Sequence, residues 1–458
     1  MGKFYFKKIL FQEGWKKNVK VSTDNNGKIE EIIENFEGTD HETKIQLAIP
    51  GIPNAHSHAF QYAMAGLTED HSESRSSNFW TWRNEMYNLA LNIDPDSLQS
   101  IASMLYSEML KNGYTSVAEF HYLHHDKNGS KYSNVCELGE RLLLAAKDVG
   151  IHITLIPIFY NRGGFHKKYE PEQKRFINHT SDEYIYLFER TLKAAEKYKS
   201  NIGIGVHSIR AVDKMMFAEI NDYNKDKFPF HLHISEQIKE VDESKKYLGS
   251  TPVEWLYNNF KIGKNHHLVH ATHLTERETK LITSNNSNVV LCPITEGNLA
   301  DGIFNYNLYQ EQKGNWCIGS DSNVGLSPFE EIRLLDYTNR LKTNKRDTFK
   351  NSKSANSGEI AFQSIYNNGH KAMGDEKSDY FEIGASLDFL EIDHNHPLIN
   401  NSSEKNLLNT VIYSTGISTI KSTYTKAIKR GNDLGMKENM IMNYNNAIKK
   451  LKIIRLYP

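Results

Sequence analysis

From Ile49 onward the chain repeats one pattern: a short apolar run, then a longer stretch with apolar residues at helical spacing. Short runs alternating with helices are the signature of βα units around a parallel sheet. Eight such runs can be read: residues 49–54, 115–120, 152–159, 202–208, 230–236, 267–273, 288–294 and 316–322. The helical stretches 96–111 and 135–149 each run into a glycine, Gly113 and Gly150, suited to ending a helix. Eight βα units close into a barrel of about 250 residues, so a chain of 458 residues has room for a second module. Residues 1–48 alternate apolar runs with turns such as Asp24-Asn25-Asn26-Gly27, and from Ile383 the chain again reads as β. The expected division is therefore 1–48 and 383–458 as one module built from both termini and 49–382 as the barrel, with the polar segment 342–357 an exposed loop.

Composition removes several classes of function. Lys and Arg total 55 against 56 Asp and Glu, so no basic excess exists to hold a phosphate backbone, and nucleic acid is not expected as a partner. No apolar stretch approaches the ~18 residues of a membrane span, and the first residues carry no signal-peptide core. Cys136, Cys292 and Cys317 are far apart and form no CxxC. They make neither a disulfide framework nor a zinc knuckle, which fits a reducing, cytoplasmic setting.

Histidine placement carries the functional signal. In His56-Ser57-His58 the two imidazoles are two residues apart at a strand end, on one face of the chain. Alone this is weak, since His231/His233 and His394/His396 repeat the spacing. Position separates them. Catalytic groups of such barrels gather at the C-terminal ends of the strands. His56 and His58 end the first strand, His233 the fifth and Asp321 the eighth, with His270 near the end of the sixth. Three His and one carboxylate suit one zinc per chain, though iron(II) or manganese(II) accept the same donors.

At these residues the chain resembles the formimidoylglutamate deiminases of the amidohydrolase superfamily. The resemblance rests on Pro50-Gly51-Ile52-Pro53-Asn54-Ala55-His56-Ser57-His58-Ala59-Phe60-Gln61, on Trp80-Thr81-Trp82-Arg83, and on Tyr114 through His125. It continues in His207-Ser208-Ile209-Arg210, Val269-His270-Ala271-Thr272-His273 and Cys292-Pro293-Ile294-Thr295-Glu296. It implies a distorted (β/α)8 barrel with a small β-sandwich from both termini, one catalytic zinc, and a homodimer. It also implies hydrolysis of N-formimidoyl-L-glutamate to N-formyl-L-glutamate and ammonia, a step of histidine breakdown. Two departures stand out. Asn323 occupies a position where the family leads one to expect His, and the Lys- and Asn-rich tail after Leu407 matches poorly.

Roles follow from that reaction. Asp321 and His270 are assigned to the attacking water, and Glu236, three residues after His233, to carrying a proton to the departing nitrogen. Two substrate carboxylates call for arginines, and Arg83 and Arg210 are the candidates. The resemblance adds Gln61, Tyr122 and His207 to the pocket, while Trp80 and Trp82 read as wall or packing. The alternative is a deaminase of the same superfamily acting on a purine, pyrimidine or related amidine. A barrel that keeps the metal without catalysis would lack Glu236, His270 or Asp321, and all three are present.

Overall fold

The computed structural model describes residues 2–37, 43–67, 69, 79–350, 356–431 and 434–451, without the side chains of 79–81 and 434–436. Eight parallel strands form the barrel: β1 (Ile52–Ser57), β2 (Tyr114–His121), β3 (His152–Phe159), β4 (Ile204–Ser208), β5 (Phe230–Ile234), β6 (His266–His270), β7 (Asn288–Leu291) and β8 (Asn315–Ile318). They pair in chain order from β1 to β8. Every residue of β2 and of β5 through β7 is buried, as expected where helices cover one face and the lumen fills the other.

The seam between β8 and β1 is closed by one parallel bridge, Ser57 to Asp321. Asp321 N–H donates to the His56 carbonyl at 3.0 Å, and His58 N–H to the Asp321 carbonyl at 3.0 Å. Asn54 reinforces the seam, accepting from Ser320 N–H at 3.0 Å and donating to Ser320 Oγ at 2.6 Å. Gly319 makes the approach possible, because a Cβ there would lie 2.6 Å from His56 Cβ. The helix Ser357–Ala372 plugs the opposite end of the barrel. Its Ala372 carbonyl bonds His231 at 2.8 Å, and Thr154 bonds the Met373 carbonyl beyond it at 2.9 Å.

A second sheet gathers strands from both termini. Gly2–Phe11 and Gly14–Thr23 form a hairpin extended by Ile29–Ile33, with the expected turn at Asp24 between the last two. Ala48–Pro50 joins this sheet to Phe389–Ile392, followed by Ile420–Thr425. The run read as the barrel's first strand is thus split at Gly51: its first part belongs to the terminal sheet, and only the second enters the barrel.

The C-terminal segment carries more helix than its sequence suggests. Glu404–Asn409 continues into a wide turn at Thr410–Thr415, burying Leu407, Leu408, Val411 and Ile412 at helical spacing. The helix Leu434–Lys450 then packs on Pro95–Lys111, with Lys450 paired to Asp94 at 2.5 Å. The segment read as an exposed loop is partly helix and partly core. Pro328–Thr343 runs into it, and Phe349 is buried flat against Trp316 at 5.5 Å, while residues 351–355 lie outside the described residues.

Candidate active site

The strand ends converge on one point. His56 Nε2 and His233 Nε2 are 3.1 Å apart, and Asp321 Oδ1 lies 3.3 Å from His56 Nε2 and 3.1 Å from His58 Nε2. The outer nitrogens fix the ring orientations. His58 Nδ1 donates to the Phe120 carbonyl at 2.9 Å and His233 Nδ1 to the His207 carbonyl at 3.1 Å. A carbonyl can only accept, so Nδ1 holds the proton in both rings and each Nε2 turns a lone pair inward.

Lone pairs and a carboxylate converging at this distance repel one another unless a cation lies among them. Donors bound at about 2.0–2.2 Å to one tetrahedral centre stand roughly 3.3–3.6 Å apart, close to the spacing found here. The buried His56, His58, His233 and Asp321 group therefore fits a divalent metal. Burial pulls the His56 imidazole down to about 3 and His233 well below its usual range, which keeps both in the neutral, ligating form. Burial opposes ionisation of Asp321, but the His56 and His58 rings against it outweigh burial and hold the carboxyl well below its usual range.

Of the other two His-x-His pairs, only His233 reaches this point. His231 stacks on His267 at 4.8 Å one layer deeper in the lumen, and His396 caps a surface helix.

His270 stands over the group, with Nε2 3.7 Å from Asp321 Oδ2 and 3.9 Å from Glu236 Oε1. Burial acts against its protonation, yet Glu236, Glu296 and Asp321 around it push its pKa up to about 10. Burial raises Glu236 above the usual carboxylate range. The backbone is in the left-handed region at Ser235 (φ 51°), His270 (φ 68°) and Asp321 (φ 48°). Non-glycine residues adopt it at a cost, and such strain clusters where side chains must be aimed at a site.

The pocket above this group is lined by Gln61, Arg83, Tyr122, His207, Arg210 and Glu236, so the expected pocket residues meet at one cavity. Gln61 donates to Tyr122 Oη at 3.0 Å, and the Tyr122 ring stands edge-on to His58 at 5.2 Å and to His207 at 5.4 Å. Arg210 is buried, and among the described residues no carboxylate pairs with it at ion-pair distance. Trp82 joins the pocket wall, whereas the Trp80 side chain lies outside the described residues.

Three buried carboxylates were missed by sequence reasoning. Glu296 accepts from His270 Nδ1 at 3.2 Å and from Cys292 N–H at 2.8 Å, which sets the imidazole's direction. Glu240 accepts from Glu236 N–H at 3.1 Å. Glu119, pushed up to about 7 by burial, accepts from Ala59 N–H at 2.5 Å and holds the turn that carries Gln61. A charge inside the fully buried strand β2 was the available signal for Glu119. Asn323, noted above as a departure from the family's pattern, is buried beside the strand ends. It donates to the His58 carbonyl at 3.1 Å and to Ser57 Oγ at 3.2 Å, binding the loop after Asp321 to the two ligands of β1.

A model of the amidohydrolase family matches residues 47–427, spanning the barrel and all the strand-end residues above. The chain belongs to the amidohydrolase family. It is 37% identical, over 91% of both chains, to a formimidoylglutamate deiminase of Pseudomonas aeruginosa. It is 26% identical to a 5-methylthioadenosine/S-adenosylhomocysteine deaminase of Saccharophagus degradans, over 80% of this chain and 75% of that one. Among solved structures, an amidohydrolase from Brucella melitensis superposes with a TM-score of 0.92 at 32% identity, covering 99% of this chain and 100% of that one. Membership accounts for the shared mouth of the barrel.

Proposed function

We propose that this amidohydrolase removes ammonia from N-formimidoyl-L-glutamate, leaving N-formyl-L-glutamate, with zinc held by His56, His58, His233 and Asp321. The observation that carries the reading is the pair of guanidinium groups, Arg83 and Arg210, facing the same pocket as Glu236. Arg210 is buried with no carboxylate at ion-pair distance among the described residues, a placement that a ligand carboxylate would satisfy, and planar bidentate pairing suits carboxylates. A purine pocket has no use for two cations. The 37% identity to a formimidoylglutamate deiminase supports the same substrate.

When bound, such an ion acidifies water to a pKa of about 7, making a nucleophile available near neutral pH. The protein's own groups do the rest. Asp321 Oδ2 and His270 Nε2, 3.7 Å apart on the pocket side, face the attacking water, and Asp321 takes up its proton. His270, kept cationic by the surrounding carboxylates, stabilises charge developing at the formimidoyl carbon. Glu236, which burial inclines to carry a proton, delivers it to the terminal nitrogen. As the tetrahedral centre collapses, the proton held by Asp321 passes to that nitrogen and the hydroxyl proton returns to Glu236; the bond from carbon to nitrogen breaks, ammonia leaves, and the formyl group stays on glutamate. Arg83 and Arg210 bind the two carboxylates and so decide which nitrogen meets Glu236. Gln61, Tyr122 and His207 line the path between the two ends.

Ammonia release from a panel of formimidoyl amino acids, guanine and cytosine tests the reading. N-formimidoyl-L-glutamate is expected to give the highest kcat/KM, and preference for a nucleobase would overturn it.

A further inference from the structure

Two pocket tyrosines take no part in the steps above. Tyr87 sits on the helix Phe79–Asn92 and Tyr160 follows β3, and both line the cavity beside Arg83 and Arg210. Their hydroxyls meet at one side chain. Gln173 Nε2 lies 2.9 Å from Tyr87 Oη and 2.8 Å from Tyr160 Oη. Gln173 is buried on the short turn Pro171–Gln173, and its Oε1 accepts from Glu170 N–H at 2.8 Å.

That last bond determines the direction of the others. A backbone N–H can only donate, so the amide oxygen must face Glu170 and the NH2 group must face the tyrosines. The NH2 group has two hydrogens and no lone pair to offer, so both phenolic oxygens accept from it. Neither phenolic hydrogen can then point at Gln173. One of them can be spent on the neighbouring phenol oxygen, which leaves at least one O–H to be satisfied elsewhere. Among the described residues no carbonyl or carboxylate accepts from either hydroxyl. Both tyrosines are nearly inaccessible to bulk water, so the pocket is where that hydrogen goes.

The surroundings are cationic. The Arg83 guanidinium lies over the Tyr87 ring, 5.3 Å from its centroid. Burial raises the Tyr160 phenol strongly, Tyr87 adds to this, and the charges of Arg210 and Arg83 act in the opposite direction. Tyr160 therefore lies within electrostatic reach of both guanidinium groups, and it stays protonated. Phenols beside arginines, with their oxygens already accepting from Gln173, turn donors toward the pocket. A carboxylate has acceptors only and matches them.

We propose that Tyr87 and Tyr160, oriented by Gln173, form with Arg83 and Arg210 a hydrogen-bond-donating subsite for the substrate carboxylates. Tyr87 and Tyr160 are the contacting groups and Gln173 is a positioning residue. The inference deepens the dicarboxylate reading and rests on it. Arg175, two residues beyond Gln173, holds the frame. It donates to the carbonyls of Ala90, Ile93 (2.7 Å) and His125 (2.8 Å), tying this segment to the end of the helix that bears Arg83 and Tyr87.

Calorimetric titration of the metal-loaded protein with glutarate is the test, since glutarate supplies both carboxylates without the reacting group. Tyr87→Phe and Tyr160→Phe remove a donor and keep the ring, and each is expected to weaken glutarate about tenfold. Metal content and Tm should match the wild type. Gln173→Glu keeps a group able to accept from Glu170 N–H but turns both phenolic hydrogens toward itself, and should weaken glutarate at least as much. For N-formimidoyl-L-glutamate the Phe variants should raise KM with kcat nearly unchanged, a split that a purely structural role would not give. Unchanged glutarate affinity in the double Phe variant overturns the subsite, as does a wild type that binds no glutarate. Normal turnover of N-formimidoyl-L-glutamate with KM unmoved in the double variant overturns the subsite alone. Absence of that turnover, with glutarate bound and lost on substitution, overturns the substrate assignment and leaves the subsite standing.

Discussion

The two sheets of this protein bury opposite kinds of side chain. Inside the terminal sheet, Phe389 meets Phe4 at 5.7 Å, Phe6 at 5.0 Å and Tyr424 at 4.2 Å, an aromatic cluster that buries large area. The barrel instead buries His56, His231, His233, His267 and His270, and with them Glu119, Glu296 and Asp321. Burying such groups costs free energy unless each is paired or coordinated. The barrel spends stability to aim polar groups, and the terminal sheet shares the strand Ala48–Pro50 that leads directly into β1. Substitutions in the barrel mouth should therefore strike chemistry first, and substitutions in the terminal sheet should strike stability alone.

The largest effect is expected from Asp321→Ala, which removes the carboxylate proposed to hold the metal and face the water while the backbone bridge of the seam stays in place. Elemental analysis should find metal content well below one ion per chain and turnover should vanish. Full metal content with full activity would remove Asp321 from the site. Glu236→Gln comes next. It keeps the shape and the metal, and turnover should fall by ~10²–10⁴-fold because an amide cannot carry the proton. A near-normal rate across the pH range would exclude Glu236 as the proton carrier.

On the other side of the comparison stands Phe389→Ala. Loss of the central ring should cost about 3–5 kcal/mol of unfolding free energy, read by denaturant titration. Metal content and kcat of the folded protein should be unchanged. A matching fall in kcat would show that the two sheets are not separable in function.

The smallest expected effect is the barrel's response to acid. Burial lowers His231 to about 4, below its value in an unfolded chain, so the folded state binds fewer protons. Its contribution is complete above about pH 6.5 and is lost as pH falls toward 4, on the order of 3 kcal/mol. In His231→Asn the decline of stability over that window should be shallower. An unaltered slope would mean that His231 does not govern it.

The same contrast explains what the sequence made legible. β3 is found at the residues expected, 152–159, because a turn signal and a helix flank it on each side. β5, β6, β7 and β8 end two to four residues earlier than the apolar runs. The residues after them, such as Ser235 and Asp321, leave the extended conformation in order to face the mouth, which apolar patterning does not reveal. The split at Gly51 was hidden for a similar reason. Ala48–Pro50 and Ile52–Ser57 are both buried and lie in one run, and they differ in which sheet they join. Histidines and arginines at strand ends were conspicuous because their chemistry is rare there. Glu240 and Gln173 were not, since a charged or amide residue in a helix or turn is ordinarily a solvated one, and only the fold buries them.

The central claim is that the metal end and the carboxylate end together choose the nitrogen that leaves. NMR of the products formed from N-formimidoyl-L-glutamate measures that choice directly. Protonation at the terminal nitrogen by Glu236 predicts N-formyl-L-glutamate and ammonia in equal amounts. Formamide and free glutamate would mean that the other carbon–nitrogen bond breaks, and would contradict the account.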